Sequence, residues 1–146
     1  LDAPTLIEDG RDLLLIGRRH LRSNNSWMHN TERLTGGTNR CRVIVHPNDA
    51  ISRGLIDGLH ATIRSVTGVL DVEIDIADSV MPGVICMPHG WGHAARDGVG
   101  WRHAASLPGG SVNDITQDTR FDPLSGNAAV TALPVALTAA RGPGRE

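Results

Sequence analysis

"HATIRSVTGVLDVEIDIA", His60 to Ala77, is the stretch on which the fold turns. Its second half alternates without a break: Val72, Ile74 and Ile76 fall on one face, Asp71, Glu73 and Asp75 on the other. A period of two is the spacing of a strand, since successive side chains point to opposite sides of a sheet. One apolar and one acidic face describe a half-buried strand with a solvated outer surface. The first half, "HATIRSV", is rich in β-branched residues, and Thr67-Gly68 between the halves supplies a tight turn. The stretch predicts a β-hairpin.

Working outward, further short strands follow the same logic. Leu13 to Ile16 is a continuous apolar run ended by Gly17, as in a strand buried on both faces. "CRVIVHP", Cys41 to Pro47, is a second strand. "MPG", Met81 to Gly83, turns the chain into another strand, "VICM", and "ALPVALTAA", Ala132 to Ala140, is the last. Two short helices fit between them. One spans Trp27 to Leu34, capped by Asn24, Asn25 or Ser26 and stopped by Gly36-Gly37. The other starts at Pro47 or Asn48, runs about two turns and ends at Gly54. Pro88 to Gly110 is rich in Gly, His and Pro, lacks periodicity and is expected to be a long loop; "RGPGRE" at the end is expected to be a loose tail. Five or six strands with one or two short helices and no regular βαβ alternation make a mainly β barrel or compact β domain, not a doubly wound fold.

The bulk properties set limits on function. The 146 residues suit a single domain, residues 1–146 with an ordered core over about 12–139. The net charge of −2 argues against a nucleic-acid binder that works by neutralising phosphates. Charge is nevertheless segregated, with six arginines and one acid (Glu32) from Ile16 to Arg42. The basic residues are all arginine, whose planar fork recognises phosphate and carboxylate in a bidentate way. Cys41 and Cys86 lie in apolar runs, which reads as buried free thiols and a cytoplasmic, reducing compartment. No apolar run is long enough for a membrane span. With no initiator methionine, the chain reads as a piece cut from something longer.

Three segments carry candidate chemistry. In "GRRHLRSNNSWMHN", Gly17 to Asn30, a buried strand ends in Gly17 and Arg18, Arg19 and Arg22 follow at once. Guanidinium groups and exposed backbone N–H groups there make an anion cradle, with phosphate or pyrophosphate as guest. The alternative is a solvated basic loop that pairs with the acidic strand. "PHGWGH", Pro88 to His93, with His103 downstream, is either a ligand-lining loop or a metal site; the glycines around the histidines and the missing glutamate disfavour metal. Trp27, Trp91 and Trp101 all lie in loops, as lids over apolar surface or as stacking surfaces for a base or pterin. In "SVNDITQDTRFDPLSGN", Asn113 is a cap or a ligand contact, and Asp122-Pro123 with Ser125-Gly126 is a turn. No nucleophile elbow, cysteine cluster or P-loop occurs.

Taken in order, "GRRHLRSNNSWMHN", "VIVHPNDAISRGLIDG", "VMPGVICMPHGWG" and "VNDIT…FDPLSGNAAV…LPVAL" resemble the C-terminal molybdopterin-dinucleotide-binding domain of the dimethyl sulfoxide reductase superfamily, which includes formate dehydrogenases and nitrate reductases. The resemblance runs from about Leu13 to Leu137. It implies a six-stranded double-psi β-barrel and a bis(molybdopterin guanine dinucleotide) cofactor of molybdenum or tungsten, which the domain caps. Carried over by position, it implies that Gly17, Arg18, Arg19, His20, Arg22 and Ser23 contact pterin, pyrophosphate or ribose. Asn24, Asn25 and Trp27 would support that loop, while His89, Gly90, Trp91 and Asn113 would lie near a pterin. His46 to Ala50 is a hallmark read as structural. "NAAVTALP" departs from relatives that place a lysine, glutamine or aromatic after the turn to reach a pterin, and His93 and His103 match no family role.

The metal's protein ligand and any iron–sulfur cysteines would belong to N-terminal catalytic and Fe–S domains of a longer parent chain, so the isolated chain is expected to be inactive. A formate dehydrogenase-like parent is the first expectation. The competing readings are a stand-alone β-barrel protein-interaction module, a small metalloenzyme using His89, His93 and His103, and a barrel that self-cleaves at Gly110-Ser111.

Overall fold

In a computed structural model, residues 10–95, 101–128 and 130–140 are described. Six strands close a barrel: β1 (Leu13–Arg18), β2 (Arg42–Val45), β3 (His60–Arg64), β4 (Val69–Ile76), β5 (Val84–Pro88) and β6 (Leu133–Ala139). Round the barrel the order is β1-β5-β2-β4-β3-β6. Two pairs, β1·β5 and β2·β4, are parallel, and all others are antiparallel. Advancing every strand by three places returns the same order read backwards, so the connectivity has an internal two-fold symmetry that exchanges the two parallel pairs. The closed, mainly β barrel expected from the sequence is present.

The opening hairpin is β3–β4, and Ser65 builds its turn. The Ser65 hydroxyl accepts from the N–H groups of Thr67 (3.0 Å) and Gly68 (3.1 Å), while its own N–H donates to the Gly68 carbonyl. Val72 and Ile74 face inward, as their spacing requires, and join Leu13, Leu15, Val43, Val45, Ile63, Ile85, Met87, Val135 and Leu137 in the core. Each fully buried aliphatic side chain of this kind contributes roughly 1.5–3 kcal/mol relative to exposure.

The outer face of β4 is not simply solvated. Arg42 on the neighbouring β2 lies 2.9 Å from Glu73 and 3.3 Å from Asp75. The acidic strand therefore takes its partner from inside the barrel wall rather than from Arg18, Arg19 or Arg22. Only β5 is buried along most of its length; in β1, Leu13 and Leu15 are buried while Leu14 and Ile16 are half-buried, so that strand alternates instead of being covered on both faces.

The strand directions give the barrel two distinct ends. At one end the chain leaves β2 through His46-Pro47 into the helix α2 (Pro47–Arg53), stopped by Gly54 in the left-handed conformation (φ 63°). The Nδ1 atom of His46 accepts from the Asn48 N–H (3.1 Å), Pro47 occupies the first turn, and Ala50 is buried. The Asp49 carboxylate accepts from the Gly83 N–H at 2.7 Å, and Arg53 pairs with Asp12. The segment His46–Ala50 is thus a closure of this end, as its structural reading expected.

Helix content differs from expectation in two places. Residues 21–30 form successive turns, and α1 is a single turn, Glu32–Thr35, instead of a helix over Trp27–Leu34. Asn24 (φ 43°) and Asn25 (φ 66°) are consecutive left-handed residues, and the segment after them closes three-residue turns, with the His29 N–H donating to the Ser26 carbonyl and that of Thr31 to the Met28 carbonyl, in place of helical bonds. The Pro88–Gly110 stretch carries a short helix, α3 (Arg102–Ser106), whose first N–H groups at His103 and Ala104 donate to the Asn30 side chain (3.2 Å each). A cap from a residue more than seventy positions away is not a local signal, so the sequence around α3 concealed it. The C-terminal six residues lie outside the described residues.

Candidate functional site

Because β1 and β5 are parallel, their C-terminal ends lie side by side, with Gly17 opposite Met87 and Arg18 opposite Pro88. The loops that follow them leave from adjacent points, and the His89 N–H donates to the Arg18 carbonyl at 3.3 Å. This brings "GRRHLRSNNSWMHN" and "PHGWGH" together although 57 residues separate them.

The first loop is wound tightly by its own backbone. The Ser23 N–H donates to the His20 carbonyl (2.9 Å), those of Ser26 and Trp27 to Asn24, and that of His29 to Ser26. Asn25 accepts a hydrogen bond from the Arg19 guanidinium. The second loop is fitted against the first at Gly90 (φ 90°), where an added Cβ would overlap the Asn25 carbonyl oxygen. A third segment, the one-turn 3-10 helix Val112–Ile115, is capped by the Ser111 hydroxyl, which accepts from the Asn113 N–H (3.3 Å), and is anchored by the buried Ile115. Gly92 lies against Ser111, and Gly68 of the hairpin turn against Asp114. Three loops are thus in backbone contact around one end of the barrel.

Two clefts open between them. The first, about 280 Å³, is lined by Gly17, Arg18 and Arg19 from the first loop, His89 from the second, and Val112, Asn113 and Thr116 from the third. The second, about 230 Å³, is lined by Ser26, by Gly90 to His93, and by Ser111 and Asn113. Asn113 faces both, so the two clefts adjoin at its side chain. Among the residues singled out from sequence, Gly17, Arg18, Arg19, His89, Gly90, Trp91 and Asn113 come together here. His20, Arg22, Ser23, Asn24, Asn25 and Trp27 stand on the first loop but line neither of these clefts. Ser23 is buried, whereas Trp27 is 73% exposed.

The arginines divide their work. The Arg18 guanidinium donates to the carbonyls of Cys86 (2.6 Å) and Arg42 (2.8 Å), lacing β1 to β5 and β2 while keeping its charge beside the first cleft. Arg19 and Arg22 are exposed. His20 is held below the ordinary imidazole range by partial burial and by the charges of Arg40, Arg18 and Arg22. Those arginine terms report a net positive potential at this loop, which favours an anion.

One residue escaped sequence reasoning. His29 is fully buried. Its Nδ1 lies 3.1 Å from Nε2 of His93, and its ring stacks at a tilt on Trp91, centroids 4.2 Å apart. Nothing local marks it, since it ends a polar run without periodicity. The histidines proposed as a metal set are kept apart by separate partners: His93 meets His29, and His103 meets the Thr35 hydroxyl at 2.5 Å. Among the described residues no three His, Cys, Asp or Glu side chains form a metal-binding group.

Polar atoms at the site suit an anionic heteroaromatic ligand. Among the described residues, Nε2 of His89 and Nε1 of Trp91 are buried without a hydrogen-bond partner. A buried polar atom left unpaired is costly unless something else supplies its partner. Trp91 can only donate, His89 can donate or accept, and Asn113 can do both. Together with the positive first loop, this donor set matches a ligand with ring nitrogens, carbonyls and phosphates, as a pterin dinucleotide has.

A family model described as the molydopterin dinucleotide binding domain matches residues 13–134. Among solved structures, the acetylene hydratase from Pelobacter acetylenicus resembles this chain with a TM-score of 0.69 at 20% identity. The match covers 88% of this chain and 18% of that one, so the present chain spans less than a fifth of that protein's length. No curated protein matches. Among the described residues no helix is long and apolar enough to cross a membrane. With the family model spanning most of the barrel and the clefts built from its loops, the chain belongs to the molydopterin dinucleotide binding domain family.

Proposed function

We propose that the chain binds the dinucleotide and pterin of one arm of a bis(molybdopterin guanine dinucleotide) cofactor, as the C-terminal cap of a longer molybdenum or tungsten oxidoreductase of the formate dehydrogenase-like kind. The observation that carries this reading is the convergence of Gly17–Arg19, His89 and Asn113 on one cleft beside buried, unpaired ring nitrogens. The bound cofactor would supply the redox chemistry; this chain's residues bind and orient it. Arg19 and Arg22, with backbone N–H groups after Gly17, neutralise the pyrophosphate, and Arg18 adds its charge while bracing the strands. His89, Trp91 and Asn113 satisfy the polar edge of the pterin or base. Ser23, Asn24, Asn25 and Trp27 hold the first loop in shape, and His20 is the ribose contact of this reading. The rest of the cradle, the metal's protein ligand and any Fe–S cysteines lie on the parent's other domains. Two free, buried thiols, Cys41 and Cys86, support a cytoplasmic setting.

The test is Arg19→Ala and Arg22→Ala in the full-length parent. Both are expected to lower bound molybdopterin, read as pterin fluorescence after oxidation and as molybdenum or tungsten by metal analysis, and released GMP identifies the guanine form. Undiminished cofactor in both variants would remove the anion-cradle role. The 146-residue chain alone is expected to show no turnover.

A further inference from the structure

The contact between His29 and His93 lies at the base of the second loop and belongs to no role assigned above. We propose that His29 is the positioning residue of the cradle: through it the first loop fixes the orientation of Trp91 and His93, and thereby the wall of the second cleft. The proposal rests on the cofactor-binding reading and names a residue that reading does not include.

Three observations carry it. His29 has no solvent exposure, so its ring cannot turn freely. It touches both second-loop side chains at once, stacking on Trp91 and meeting His93 edge-on, with rings at 90° and centroids 5.4 Å apart. Trp91 is packed in the core cluster, and the Gly90 and Gly92 backbones on either side of it are seated against Asn25 and Ser111. Within that fixed frame, His29 is, among the described residues, the one ring that touches both cleft-lining side chains, Trp91 and His93.

The contact also has a proton requirement. At 3.1 Å one ring nitrogen must carry hydrogen and the other must be bare, because two N–H groups facing each other repel. A neutral pair or a singly charged pair satisfies this; a doubly charged pair does not. The shared hydrogen bond consequently couples the neutral rings: both carry their hydrogen on Nδ1 or both on Nε2, a restriction that rings free in water do not have.

The experiment compares His29→Leu with His29→Asn, whose amide places a hydrogen-bonding atom near the former Nδ1. Long-range proton–nitrogen NMR of the histidine rings in the full chain is expected to show His29 and His93 carrying hydrogen on the same ring position in wild type, and His93 in the mixture of a free imidazole in His29→Leu. In the full-length parent, His29→Leu is expected to retain cofactor about tenfold more weakly, as a lost supporting hydrogen bond would cause, and His29→Asn to recover most of it. Unlike tautomers at His29 and His93 in folded wild type, or equal retention in His29→Leu and wild type, overturns the proposal. If the wild-type parent holds no molybdopterin, the cofactor reading itself fails, and the tautomer comparison still decides whether His29 positions His93. Should His29→Leu not fold, His93→Gln in the parent reads the same contact from its other side; unchanged retention and unchanged His29 resonances there overturn it equally.

Discussion

The backbones of Gly90 and Asn25 meet so closely that a Cβ placed on Gly90 would lie 1.6 Å from the Asn25 carbonyl oxygen. Gly90 also holds φ at 90°, which residues with a side chain adopt only under strain. Gly90→Ala is expected to lose about 3 kcal/mol or more, since backbone strain and overpacking each cost roughly 1–3 kcal/mol. A urea midpoint equal to that of wild type would show that the two loops can separate without harm.

Arg18 and its neighbour Arg19 are expected to behave differently. Removal of Arg18 leaves the carbonyls of Cys86 and Arg42 without their donor, and hydrogen bonds from charged groups are worth about 1.5–3 kcal/mol each. Arg18→Met should thus destabilise by about 2 kcal/mol or more, whereas Arg19→Ala on the exposed loop should stay within about 0.5 kcal/mol. Chemical unfolding of both variants separates the brace from the open cation; equal stabilities would mean that Arg18 braces nothing.

Stability is expected to fall on the acid side because of His29. Burial, and then the neighbouring His93, hold its ring below the ordinary value of 6.5. The unfolded chain therefore takes up the proton first, and from about pH 6.5 downward each step favours unfolding until the folded ring titrates too. Melting temperatures of wild type should drop across that window, and His29→Asn should flatten the drop. Parallel profiles would assign the acid effect to other groups, His20 foremost.

A second loss is expected at high pH. Burial pushes the Cys41 thiol up to about 11 from 9.0, partly opposed by a backbone hydrogen bond with Gly110. Ionisation is then easier in the unfolded chain, so stability should decline as pH rises from about 9 towards 11. The same burial should make Cys41 inert: a thiol reagent at pH 8 is expected to label it only in denaturant, and rapid labelling of the folded chain would contradict its packing.

The strands were legible because their signal is local. Alternation at Val72 to Ile76 and the apolar runs at Leu13, Val43 and Val84 need no knowledge of the partner strand. Pro47 and Gly54 framed α2 for the same reason. What failed depended on remote or paired conformations. Asn24 and Asn25 have the composition of helix caps, yet both adopt left-handed angles within a run of turns. The cap of α3 comes from Asn30, and His29 acquires its role only from residues in the ninety-to-ninety-three region. Arg18 shows the subtlest case: its neighbourhood was readable as basic, but its hydrogen bonds to two strands follow from barrel closure alone.

The pairing of Gly17 with Met87 and Arg18 with Pro88 carries a consequence for assembly. A one-residue slip between these strands would reverse which side chains face the core, and it would also move His89 off Arg18 and part the loops that form both clefts. Correct closure of the barrel and competence to receive a ligand are therefore one event. A chain closed in the wrong alignment would lack both clefts, so the register that buries the core also builds the walls of the site.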